Sequence, residues 1–140
     1  MIKIENLKKT YGKNEVLKGI TTEIKEKEVI AIIGPSGSGK STFLRCINRL
    51  EEPTEGVISV AGETVTEQNV MKVRENLGMV FQHFHLCPHK TVLENLTYAP
   101  TNVKGVAKET AVKMAEELLS KVGLCQKEYL NRPLDTSLSG

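Results

Sequence analysis

The first third of the chain is rich in short runs in which apolar and polar positions alternate with the period of a strand. Ile2, Ile4 and Thr10-Tyr11 predict one strand, ended by Gly12-Lys13-Asn14. Val16 to Ile24 predicts a second, with Val16, Ile20, Thr22 and Ile24 on one parity, and Lys25-Glu26-Lys27 closes it with a polar turn. Val29-Ile30-Ala31-Ile32-Ile33 is apolar on both parities, the pattern of a strand buried on both faces of a parallel sheet. Gly34 to Gly39 follows, and the spacing then predicts a helix from Lys40 to about Leu50 with Phe43, Leu44 and Ile47 toward the core. Val57 to Val60 and Glu63 to Val65, divided at Ala61-Gly62, predict a hairpin.

The second half changes character. A short helix is expected near Asn69 to Asn76, and Gly78-Met79-Val80-Phe81 reads as a second buried strand. Gln82 to Lys90 is irregular and carries three His, a Cys and a Pro. Thr91 and Glu94 have capping-box spacing, which starts a helix there; Pro100 is expected to follow its end. Lys108 to Val122 is the clearest helix, with a stripe of Ala111, Met114, Ala115, Leu118, Leu119 and Val122, and Gly123 at its C′ position. Asn131 to Gly140 is turn-like.

Composition excludes several classes. The 140 residues are 39% hydrophobic and 26% charged, as in a folded soluble domain large enough to bury a core. The longest apolar run, Val29 to Ile33, is far too short to span a bilayer, and no signal-peptide pattern opens the chain. Net charge is +2, from 19 basic and 17 acidic residues, so a nucleic-acid partner is not expected. Cys46, Cys87 and Cys125 are odd in number and widely spaced, which suits a reducing compartment. Asp135 is the sole aspartate, so chemistry needing an Asp on a core strand has almost no candidate.

Gly34-Pro35-Ser36-Gly37-Ser38-Gly39-Lys40-Ser41 matches the phosphate-loop pattern G-x-x-x-x-G-K-[ST], between an expected strand and an expected helix. Gly37 and Gly39 allow backbone angles that turn N–H groups inward as an anion nest, and the helix adds its positive dipole end. Lys40 is expected on the β- and γ-phosphates and the Ser41 hydroxyl on Mg²⁺, with Ser36, Ser38 and Thr42 completing the cradle. A glycine-rich turn that merely precedes a helix is the alternative, and the ordered Lys and hydroxyl argue against it. The GTPase tetrapeptide N-K-x-D does not occur, and Arg45, Arg49 and Arg74 do not cluster as a small-molecule kinase lid would.

At this point the residues resemble the nucleotide-binding domain of an ATP-binding-cassette (ABC) transporter. Tyr11, 23 residues before Gly34, stands where that family keeps an aromatic to stack on adenine; a plain strand-end tyrosine is the other reading. The resemblance adds Val16 to the nucleotide-binding set. Gln82, after Met79-Val80-Phe81, resembles the Q-loop glutamine, a catalytic-site residue that ligates Mg²⁺ and senses the γ-phosphate; a strand-end cap is its alternative. Leu138-Ser139-Gly140 resembles the opening of the signature motif L-S-G-G-Q. Leu44-Arg45-Cys46-Ile47-Asn48, Glu52-Pro53-Thr54 and Pro88 to Asn95 are similar to importers of polar amino acids; methionine and lipoprotein-release cassettes share much of the second half.

The resemblance implies an α/β fold of the P-loop NTPase type, incomplete here. It would hold an antiparallel β subdomain, a partial parallel core sheet and the start of a helical subdomain. About 1–82 would form the β subdomain and phosphate-loop core, and about 83–140 the Q-loop and helical subdomain. It also implies ATP and Mg²⁺ and a permease docked near Gln82 to Glu94. A substrate-binding protein would act indirectly, and the intact family forms a homodimer peripheral to the cytoplasmic face of the plasma membrane. The family's second acidic strand, its catalytic Glu and its later switch His have no counterpart, since Asp135 follows Arg132-Pro133-Leu134. The chain is therefore expected to be an N-terminal fragment that binds ATP without hydrolysing it; a non-hydrolytic regulatory module is the competing class. Alternating His83, His85, Cys87 and His89 are a weaker zinc pattern, set against an exposed loop facing a membrane subunit.

Overall fold

The computed structural model describes residues 1–82, 85–123 and 130–131. The β1 strand (Ile2–Tyr11) and β2 (Asn14–Ile24) pair antiparallel through a tight turn, Tyr11 opposite Asn14 and Ile2 opposite Ile24. On its other edge β1 pairs with β3 (Glu55–Val60), which turns into the two-residue β4 (Glu63–Thr64), giving the order β2-β1-β3-β4. Ala61 and Gly62 both have positive φ, as a two-residue hairpin turn requires, so the predicted hairpin forms.

The α1 helix (Lys40–Ile47) lies against this sheet, and Val65 and Val73 join the same core. Ile4, Leu7 and Cys46 have no or almost no exposure; burying a side chain such as Leu7 contributes about 1.5–3 kcal/mol. The helix ends earlier than Leu50, because Arg49 turns into a left-handed conformation (φ 53). Arg74 holds that end: its Nε donates to the Asn48 carbonyl at 2.9 Å and its Nη2 to the Arg49 carbonyl at 3.0 Å. Arg74 follows as the last residue of α2 (Val70–Arg74), the short helix expected near Asn69. Cys46 takes the inward place expected of Leu44, which is 47% exposed; burial pushes the Cys46 thiol pKa up.

Two expected strands are absent. Neither Val29 to Ile33 nor Gly78 to Phe81 is a strand, and Val29 and Val80 are each 96% exposed. A strand is a paired structure, and no strand of the described residues pairs with either segment. The described sheet is antiparallel throughout, and the expected parallel core is not formed within it. A largely apolar cavity of about 530 Å³ instead opens between Ile30, Ile32, Ile33, the β2 face and α1.

The chain divides into two compact units, Met1–Met79 and Val80–Gly140. In the second, α3 (Val92–Asn102) packs with α4 (Lys108–Lys121). The capping box is present: Glu94 N donates to Thr91 Oγ1 and Thr91 N to Glu94 Oε2 at 2.7 Å. Contrary to expectation α3 continues through Pro100. A proline so near the end removes only the helical hydrogen bond to the Leu96 carbonyl, and the Thr101 hydroxyl and Asn102 amide add side-chain bonds to the Thr97 and Tyr98 carbonyls of the last turn. Half of the expected α4 stripe is inward: Ala111, Ala115 and Leu119 are buried, whereas Met114, Leu118 and Val122 are exposed. Gly123 takes the left-handed C′ position (φ 75). Among the described residues no helix is long and apolar enough to cross a membrane.

Candidate functional site

The phosphate loop is a short irregular segment that delivers the chain into α1. Gly37 (φ 79) and Gly39 (φ 91) take left-handed angles, which lets successive N–H groups turn the same way. Gly39 is the N-cap, has no side chain to cap with, and no acidic residue follows in the first turn. The first-turn N–H groups of a helix have no partner inside it, so this end presents donors and a positive dipole. The helix begins with Phe43 N donating to the Gly39 carbonyl at 2.8 Å, which places Ser41 and Thr42 in that first turn.

Lys40 folds back over the loop. Its Nζ donates to the Gly34 and Pro35 carbonyls, both at 2.7 Å, and weakly to Ser38 Oγ at 3.4 Å. The ammonium is thereby held at the loop mouth rather than in bulk water. A second strand supports the loop from behind: a Cβ on Gly39 would meet Val16 Cγ1 at 3.0 Å and Leu17 Cδ2 at 3.1 Å. Val16 therefore stands at the phosphate loop, as a backing residue. Ser36, Gly37 and Ser38 are exposed. The concave, anion-seeking backbone, a tethered cation and the hydroxyl of Ser41 together fit a triphosphate with its metal.

The tyrosine of the set, Tyr11, ends β1 and is 44% exposed. Lys9 Nζ sits 4.8 Å from its ring centroid and 2.9 Å from Glu51 Oε1. Lys9 foremost, with the nearby Tyr11 hydroxyl, holds the Glu51 carboxyl below the usual carboxylate range. Lys9 and Glu51 were not legible from motif spacing, because their pairing depends on how β1 meets the segment after α1.

Gln82 is exposed and belongs to the second unit. Beyond it, Asn95 organises the loop leading into α3. Its Oδ1 accepts from Cys87 N at 2.8 Å, and its Nδ2 donates to the Cys87, Lys90 and Thr91 carbonyls. No group of three His, Cys, Asp or Glu that could hold a metal occurs among the described residues; His83 lies outside them, as do Leu138, Ser139 and Gly140.

A P-loop nucleotide-binding protein is what this loop, lysine and helix define. More narrowly, the chain belongs to the ABC transporter family, whose pattern it matches over residues 17–140. It is 61% identical over 136 residues to the arginine transport ATP-binding protein ArtM of Bacillus subtilis, covering 94% of this chain and 57% of that protein. It is 50% identical over 131 residues to the glutamine transport ATP-binding protein GlnQ of Escherichia coli, covering 92% of this chain and 55% of that one. The chain thus spans little more than half the length of these curated relatives. Among solved structures it resembles the dimeric bacterial ABC transporter cassette MJ0796, with TM-score 0.81 and 37% identity over 95% of this chain and 61% of that one. The same cassette in a post-hydrolysis state bound to ADP and Pi aligns with TM-score 0.80 and 35% identity.

Proposed function

We propose that these 140 residues are the nucleotide-binding part of an ABC importer subunit for a polar amino acid, and that they bind Mg-ATP without turning it over. The observation that carries this reading is the phosphate loop: left-handed Gly37 and Gly39, an uncapped α1 N-terminus, and Lys40 tethered at the loop mouth. Ser36, Ser38 and Thr42 line the same cradle, Ser41 takes Mg²⁺, Val16 backs the loop and Tyr11 stacks on the base. Bound phosphate replaces the neutral carbonyl partners of Lys40 with charge-assisted ones, which are stronger.

The amino acid cargo is supported by relatives whose names specify arginine, glutamine, cystine and histidine transport. Residues 1 to about 82 correspond on this reading to the β subdomain with its phosphate-loop core, and about 83 to 140 to the Q-loop and helical subdomain. Gln82 senses the γ-phosphate and ligates Mg²⁺, and Leu138-Ser139-Gly140 open the signature that closes on the nucleotide of a dimer partner. Gln82 to Glu94 meets a permease at the cytoplasmic face of the membrane, and a substrate-binding protein acts through that permease. Turnover needs a carboxylate that polarises water, and in the sequence Asp135, the sole aspartate, follows Arg132-Pro133-Leu134 rather than a run of apolar residues.

The test separates binding from hydrolysis. Mg-ATP should bind the purified chain, while its phosphate release stays indistinguishable from a Lys40→Ala control. Steady turnover that Lys40→Ala abolishes would show that a catalytic carboxylate is present after all.

A further inference from the structure

Among the described residues the ion pair beside Tyr11 is the most sheltered. Lys9 and Glu51 side chains are 13% and 26% exposed, against 49% and 53% for Lys3 and Glu5. Exposed pairs contribute little, and a sheltered pair holding an aromatic ring has a positional consequence. Lys9 Nζ makes three contacts at once: Glu51 Oε1 at 2.9 Å, the Glu52 carbonyl at 2.7 Å and the Tyr11 ring at 4.8 Å. Glu51 is itself fixed to α1, since its N–H donates to the Arg45 carbonyl at 3.1 Å. Glu52 is held by Arg49 Nη2 at 2.6 Å. A continuous polar chain therefore runs from the last turn of the phosphate-loop helix, through Glu51 and Lys9, to the ring that ends β1.

We propose that Lys9 and Glu51 are positioning residues for the nucleotide base: Lys9, held by Glu51, occupies one face of Tyr11 and ties the ring to α1. One ring face is left for a purine, at a spacing from the phosphate loop set by that helix. The inference rests on the reading of Tyr11 as the base platform. An ammonium on one face also polarises the ring, so the arrangement acts on stacking and not only on rotamer choice. Because the chain of contacts ends on the base and not on the phosphates, its removal is felt by ATP and not by a ligand that has no base.

The experiment is a set of titrations on the full chain with two probes, Mg-ATP and Mg-tripolyphosphate. Lys9→Met should weaken Mg-ATP roughly two- to fivefold, the scale of an exposed cation–π contact, and leave tripolyphosphate unchanged. Lys9→Arg, which keeps a cation over the ring, should restore wild-type affinity. In a Tyr11→Ala background Lys9→Met should have no further effect, the signature of two residues acting as one. Equal losses for both probes, or the same loss without Tyr11, would overturn the proposal and make Lys9 a merely structural residue. Tripolyphosphate binding doubles as the check that each variant is folded. If Tyr11→Ala itself leaves Mg-ATP affinity unchanged, the base-platform reading fails and this inference with it. If Tyr11→Ala weakens Mg-ATP but Lys9→Met does not, the platform stands and only the positioning role is lost.

Discussion

Gly39 and Val16 approach closely enough that an added methyl would be tight: a Cβ on Gly39 would lie 3.0 Å from Val16 Cγ1 and 3.2 Å from the Val16 carbonyl oxygen. The phosphate loop is thus pressed, backbone first, onto the second strand. Gly37 is also left-handed (φ 79), yet a Cβ there would meet nothing within 4 Å. Gly37→Ala should cost only the backbone strain, about 1–2 kcal/mol. Gly39→Ala adds the clash with Val16 to that strain, and should cost more in urea unfolding and weaken Mg-ATP as well. Equal costs at the two glycines would mean that the Val16 contact is not tight.

Stability should depend on acid in a defined direction. The backbone N–H of Thr91, helped by its hydroxyl, holds the Glu94 carboxyl below the usual range, and Lys9 followed by Tyr11 does the same for Glu51. A lowered folded-state pKa gives stability that is present above the unfolded value, about 4.3, and is lost as pH falls through the folded one. Glu94→Gln should keep the helix start but flatten the acid limb of the far-UV circular dichroism of α3. An unchanged limb would remove Glu94 from the account. At the other extreme Lys9 is raised, chiefly by Glu51, so its contribution is full below about 10.4 and fades as pH rises through its higher folded value.

The exposed apolar run should make the chain associate. Val29 and Ile33 are 96% and 94% exposed, and the backbone between them pairs with no strand of the described residues. Such a segment is a template for another chain. Light scattering should show a mass that grows with concentration, and Ile33→Lys should reduce it. A wild-type monomer at high concentration, with slow amide exchange across Val29 to Ile33, contradicts this.

That run also marks the limit of what the residues alone disclose. Features whose physics is local were legible: the Ala61-Gly62 turn, the Thr91–Glu94 box and the glycine-lysine loop each depend on neighbours a few positions away. Val29 to Ile33 has the apolar pattern of a buried strand, but pattern alone cannot supply the partner that makes a strand. Helix faces were half legible for the same reason. Leu44 and Cys46 are both apolar, and which of them points inward is decided by where the sheet lies. In α4 the Met114, Leu118 and Val122 row is apolar without being covered. Lys9 and Glu51, 42 positions apart, meet only because β1 runs past the end of α1, so no motif could have paired them.

On the proposed function the loop from Gly34 to Ser41 holds the phosphates of ATP with Lys40 as its cation. Lys40 is the residue to remove, since its Nζ already sits among the loop carbonyls. Equilibrium titration of Mg-ATP into the wild-type chain and Lys40→Ala tests this most directly. Loss of one charge-assisted contact, about 1.5–3 kcal/mol, predicts roughly ten- to hundredfold weaker binding by the variant. Equal affinity of the two proteins, or no binding by the wild type, would contradict it.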